Sequence, residues 1–199
     1  MRYVALGDSY TLGVSVSPSE RWPEQLVQRL AEGDAGLLDL VHNLAVERHT
    51  SADLVREQLP RLNEVHAEFV SLLVGAEDIV QDVPENAFAE NVAAILDELR
   101  GRLAANRLLT VAIPDFTVGP GAAELGDPAR NSAAIARANE IVGEAAAARG
   151  VAFVAEPFAI SREAVEDRAL IAPDGLHPSG AQYARWADAI APVVERLLG

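Results

Sequence analysis

The sequence predicts an α/β domain: one parallel sheet of five strands with helices on both faces. Three observations carry that prediction. Short apolar runs alternate with longer amphipathic ones along the chain. The short runs are apolar nearly throughout, as strands buried on both faces require. The 199 residues, half of them hydrophobic, suffice for one well-buried domain spanning 1–199 and fall short of two.

The first run, Arg2–Gly7 (RYVALG), reads as a buried strand, followed by a helix near Pro23–Ala31. Leu38–Ala45 reads as the second strand. Ser51 then caps a helix through about Leu62, with Pro60 placed to end it early. Phe69–Gly75 is the third strand. Asn86–Ala105 puts Phe88, Val92, Ile95 and Leu99 on one stripe and reads as a helix. Arg107–Pro114 is the fourth strand. Asp115–Asn131 is rich in Gly and Pro, lacks a period, and reads as a surface loop, either beside the functional face or as a plain connector. Ser132–Gly150 is an Ala-rich helix ended by its glycine. Val151–Glu156 is the fifth strand, and Pro178–Leu198 the last helix, with Pro178 in its first turn. Strand twist makes the crossovers right-handed. Ligands of such sheets sit beyond the carboxyl ends of the strands. Gly7-Asp8-Ser9, Asn43–Arg48 and Gly75–Asp78 are therefore expected to meet at one edge. The sequence contains no internal repeat.

Composition excludes several functions. The net charge of −14 argues against nucleic acid or an anionic membrane surface as partner. The absence of cysteine excludes disulfides, thiolate metal sites and Cys nucleophiles. No stretch of about twenty apolar residues spans a membrane, and the N-terminal apolar run is too short for a signal peptide. A cytoplasmic protein is the expectation. Oligomeric state is not encoded in any readable feature.

The chemistry-bearing residues lie at the two ends of the chain. A serine hydroxyl needs a base to take its proton, usually a histidine oriented by a carboxylate. Ser9 closes the first strand. Of the four histidines, only His177 has a suggestive setting, in Ala172-Pro173-Asp174-Gly175-Leu176-His177-Pro178. One turn there carries both the acid and the base. Each motif alone is weak; their joint placement, after strand one and before the last helix, is much more specific.

On these residues the chain resembles the SGNH/GDSL hydrolase family of esterases and lipases. Gly7-Asp8-Ser9-Tyr10 resembles its nucleophile block, and Asp174-Gly175-Leu176-His177-Pro178 its acid-base block. Asn43-Leu44-Ala45-Val46 and Leu73-Val74-Gly75-Ala76-Glu77-Asp78 lie where its second and third blocks stand. The resemblance implies a flavodoxin-like three-layer α/β/α sandwich. It also implies hydrolysis of a carboxylic ester, thioester or O-acetyl group through an acyl-enzyme, with no metal or organic cofactor. Ser9 would be the nucleophile, His177 the general base and acid, and Asp174 the residue holding the imidazole. The partner implied is a small acyl ester.

The chain departs from the family at the oxyanion hole. The family supplies three donors: the serine N–H, a block-two glycine N–H, and a block-three asparagine side chain. Here Glu77 occupies the asparagine position and Arg48 the glycine position. An ionised Glu has no proton to donate, and losing one such donor costs about 10²–10³ in rate. Three expectations follow: Arg48 and Glu77 form an ion pair that presents the guanidinium to the oxyanion; or the pair fills the pocket; or Glu77 is held neutral and donates as an acid. Two alternatives to simple hydrolysis stay open, a redirected enzyme of the same fold (acyl transfer, cyclisation or elimination) and a non-catalytic binding domain. Among other residues, Asp78 reads as a support of its turn or a simple cap, Tyr10, Trp22 and Trp186 as packing, and His49 as an exposed loop residue near the rim. His42 and His66 read as strand and helix positions, and Asp82 with Glu85 as an acidic pair without a metal pattern.

Overall fold

The computed structural model describes residues 1–32 and 38–199. Its sheet is built from β1 (Arg2–Gly7), β2 (Asp39–Asn43), β3 (Phe69–Leu73), β4 (Leu108–Val111) and β5 (Ala152–Val154). The strands are parallel in the order β2-β1-β3-β4-β5, the flavodoxin-like order expected. Tyr3, Val4, Ala5 and Leu6 of β1 are wholly buried, as are Phe69 and Leu73 of β3. The two edge strands are more exposed than a uniformly buried sheet predicts, because each has a neighbour on one side only. Val41 is skipped in the β1–β2 register, a local bulge on the β2 edge.

Among the described residues, eight α-helical segments surround the sheet: α1 (Ser9–Leu12), α2 (Trp22–Ala31), α3 (Ser51–Asp53), α4 (Ala76–Val80), α5 (Glu85–Arg102), α6 (Pro128–Ala147), α7 (Glu156–Arg162) and α8 (Gly180–Leu198). The strand order reverses direction after β1. Right-handed crossovers then place α2 with α8 on one face, and α3, α5 and α6 on the other. Trp22 and Trp186 are fully buried where α2 meets α8, in the packing role expected.

Several boundaries differ from the sequence reading. Thr50, not Ser51, caps the helix after β2: its side chain accepts from the Asp53 N–H, and Asp53 returns the bond. That helix loosens to a π-turn over Leu54–Gln58 and tightens to a 3₁₀ turn over Leu59–Asn63. Pro60 supplies the reason: it has no N–H, and its ring crowds the carbonyl four residues back. His66 lies beyond this turn, not on a helix. α6 begins at Pro128, because Asp127 accepts from the Arg130 N–H and caps it there. The predicted loop is therefore shorter and holds two 3₁₀ turns, Phe116–Val118 and Pro120–Leu125. β4 stops at Val111, since Asn139 of α6 takes both backbone groups of Ile113 at 2.8 and 2.9 Å. Pro178 stands outside α8, bridged to Ile171, and Ser179 is the cap.

Candidate active site

The crevice lies where the chain leaves β1 and β3 in opposite directions, the switch point of a sheet with this order. Gly7 ends β1. A Cβ there would sit 2.4 Å from the Leu73 carbonyl and 2.5 Å from Thr11 Oγ1, so only glycine allows this approach. Its backbone is bracketed by the buried Gln58, which accepts from the Gly7 N–H at 3.0 Å and donates to its carbonyl at 2.7 Å. Asp8 then caps α1, its Oδ1 accepting from the Tyr10 N–H at 3.0 Å. Ser9 becomes the first residue of that turn, 5% exposed.

His177 arrives from the other end of the chain. Ala172 N–H donates to the His177 carbonyl at 2.8 Å, closing the Asp174–His177 turn at its base. Asp174 Oδ1 accepts from the Leu176 and His177 N–H groups at 2.9 and 3.0 Å. Its Oδ2 lies 2.6 Å from His177 Nδ1 and accepts from Ser15 Oγ at 2.5 Å. Burial pushes the Asp174 carboxyl up, but the donors from Ser15, Leu176 and His177 outweigh it and hold it at about 2. Asp174 is therefore an acceptor only, and Nδ1 carries the ring proton. Nε2 is left free to accept, and it stands 3.2 Å from Ser9 Oγ. The Tyr10 ring packs on the imidazole with centroids 5.4 Å apart. Ser9, His177 and Asp174 thus form one continuous hydrogen-bonded chain between residues 168 positions apart.

A cavity of about 210 Å³ opens beside Ser9 and His177. Arg48, Glu77 and Glu47 share its wall with Phe116, Leu125 and Leu176. All three segments expected at one edge therefore converge. The expected ion pair does not form. Arg48 is exposed, and its guanidinium has no partner among the described residues. Glu77 instead accepts at 3.1 Å from Nε2 of Gln81, the residue that caps the end of α4. Arg48 has φ 65°, the left-handed conformation that a glycine adopts without cost. Neither its N–H nor that of Ser9 has an acceptor among the described residues.

The neighbouring residues are absorbed by the scaffold. Asp78 accepts from the Ser51 N–H at 2.8 Å and from Ser51 Oγ at 2.5 Å, tying α4 to α3. His49 Nδ1 lies 3.2 Å from Gln58 Nε2, with Nε2 3.3 Å from Glu57. Asp82 and Glu85 pair with Arg130 and Arg137. The 119–121 segment packs on the acid-base turn, with the Gly121 N–H donating to the Gly175 carbonyl at 2.9 Å. Sequence reasoning passed over Ser15, Gln58 and the ionisation of Asp8. Burial pushes the Asp8 carboxyl up to about 7, aided by Asp78 and Glu77 and opposed by the Tyr10 N–H. Its Oδ2 has no partner among the described residues.

The chain matches the GDSL-like lipase/acylhydrolase family over residues 5–185. No curated protein sequence matches. Among solved structures, TesA is similar at 23% identity over 100% of both chains, with TM-score 0.78. The lipase/acylhydrolase from Enterococcus faecalis is similar at 20% identity, over 100% of this chain and 98% of that one, with TM-score 0.75. A catalytic mutant of the acetylxylan esterase Axe2 from Geobacillus stearothermophilus is similar at 16% identity, over 100% and 94%, with TM-score 0.72. At these identities the likeness establishes the fold. With the family match covering nearly the whole length, the chain belongs to the GDSL-like lipase/acylhydrolase family.

Proposed function

We propose that this family member cleaves small carboxylic esters, thioesters or O-acetyl groups through an acyl-enzyme on Ser9. The observation carrying this reading is the Ser9–His177–Asp174 chain, at 3.2 and 2.6 Å, opening onto the cavity. Ser9 Oγ attacks the carbonyl carbon while His177 Nε2 takes its proton. His177 then gives that proton to the leaving alcohol or thiol, and a water attacks the acyl-enzyme by the reverse path. Asp174, ionised throughout the working range, keeps Nδ1 protonated and the ring aimed. The small cavity favours a short acyl group.

The oxyanion hole is incomplete rather than absent. The donor at the block-two position is a backbone N–H, so replacing glycine by Arg48 need not remove it, and the φ of 65° keeps the glycine-like geometry. The loss falls on Glu77 alone, a carboxylate where the family places an amide donor. Residues 1–199 act as one catalytic domain, supported by the family match over 5–185. No helix among the described residues is long and apolar enough to cross a membrane; a cytoplasmic enzyme is the reading we carry forward from the sequence.

Hydrolysis of p-nitrophenyl acetate by Ser9→Ala and His177→Ala tests this. His177→Ala is expected to lose about 10²–10⁴ in kcat/KM, the usual worth of a general base. Ser9→Ala is expected to lose all acyl-enzyme turnover. Undiminished hydrolysis in both would overturn the reading, and ester binding without turnover in the wild type would favour a binding domain.

A further inference from the structure

Glu77 sets this cavity apart, and its carboxylate has no cationic partner among the described residues. It lines the wall beside Ser9 and His177, and its one hydrogen-bond partner is the neutral amide of Gln81. Glu47 adds a second acid to the same wall. Arg48 and His177 are the basic residues there; Arg48 is exposed, and neither makes an ion pair with Glu47 or Glu77 among the described residues. A half-buried carboxylate lining a recess of about 210 Å³ attracts a cation. The reaction has the opposite need, because negative charge grows on the substrate carbonyl oxygen and a nearby carboxylate opposes it. One group satisfies both demands if the substrate brings it: a positive charge next to the carbonyl.

We propose that the cavity selects esters whose acyl group carries an ammonium on the carbon beside the carbonyl, and that Glu77 holds that ammonium. This inference rests on the serine-hydrolase reading above. The ammonium donates to the Glu77 carboxylate and fixes its charge beside the developing oxyanion, standing in for the missing amide donor. Ser9 Oγ bonds to the carbonyl carbon, its proton passes to His177 Nε2, and the alcohol departs with that proton. Water then releases the amino acid with its ammonium unchanged. Glu77 is thus a specificity determinant that touches substrate, and the cavity size limits the acyl group to a small one.

Glycine ethyl ester and ethyl propionate test this, since they differ by an ammonium in place of a methyl. Each kcat/KM is divided by the ester's uncatalysed hydrolysis rate, which removes the inductive effect of the ammonium. The wild type is expected to prefer the cationic ester. Glu77→Gln should lose about 10- to 100-fold of that preference, the worth of a charge-assisted hydrogen bond, while Glu77→Asp should retain part of it. Circular dichroism establishes that the variants are folded. Equal preference in the wild type and Glu77→Gln overturns the inference. Ethyl propionate hydrolysis that depends on Ser9 but shows no cationic preference sinks the inference alone. Hydrolysis of neither ester, with no fluorophosphonate labelling of Ser9, sinks the serine-hydrolase reading with it.

Discussion

At the scale of single residues, the carboxyls of Asp174 and Asp8 are tuned in opposite directions. Asp174 is surrounded by donors and stays ionised. Asp8 is fully buried with one oxygen unpartnered, and its carboxyl is pushed up from 3.8 to about 7. The fold therefore favours the protonated form of Asp8. Its contribution to stability is complete below pH 3.8, falls as pH rises and the unfolded chain ionises first, and is lost above about 7. The full span is worth about 4 kcal/mol. Asp8→Asn cannot ionise yet still caps α1. Urea denaturation should show Asp8→Asn gaining on the wild type by up to that amount between pH 4 and pH 8; a constant difference would contradict it. Glu77→Asn restores an amide at the oxyanion position, so hydrolysis of the uncharged p-nitrophenyl acetate should rise, by up to about 10²-fold. No gain would show that Glu77 is not an impaired oxyanion residue. Ser9, Asp174 and His177 were legible because each sits in a short motif whose chemistry is local. Ser15 and Gln58 were not, because their contacts span 159 and 51 residues and exist only once the fold is made.

At the scale of elements, the glycine after β3 couples the sheet to the site. Gly75 has φ 131°, and a Cβ there would lie 2.6 Å from Ile113 Cδ1 and 2.9 Å from the Phe88 ring. Gly75→Ala is expected to cost about 2–3 kcal/mol through combined strain and overpacking, read as a lower urea midpoint. A change under 0.5 kcal/mol, the size of a neutral surface substitution, would show that the turn relaxes freely. The five strands were legible from their apolar runs, but their ends were not. Ile113 is as apolar as its strand neighbours, yet leaves the ladder because Asn139 meets its backbone. The short helix α7 was hidden because Glu156, read as the end of a strand, begins a helix with Pro157 in its first turn. Thr50 outcompeted Ser51 as a cap because Asp53 completes a reciprocal pair with it, while the Ser51 hydroxyl is engaged by Asp78.

At the scale of the whole molecule, charge is the dominant feature. Thirty acidic residues face sixteen basic ones. Arginines tie helices together: Arg137 of α6 pairs with Glu85 of α5 at 2.9 Å, and Arg149, just past α6, with Asp97 of α5 at 2.7 Å. Such surface pairs are worth little, whereas a net charge of −14 repels itself throughout. Raising ionic strength from about 10 mM to about 150 mM, which shortens the Debye length from about 30 to 8 Å, should raise the melting temperature. A fall would mean that the ion pairs outweigh the repulsion. The fold brings positions 9 and 177 together from opposite ends of the chain, and in the mechanism we propose that meeting activates the serine. Reaction with a fluorophosphonate, followed by intact mass and peptide mapping, measures it most directly. One adduct on Ser9 is expected, absent in Ser9→Ala and formed about 10²–10⁴ times more slowly in His177→Ala. An adduct on another residue, or equal labelling rates with and without the imidazole, would contradict the assignment of Ser9 and His177 as nucleophile and base.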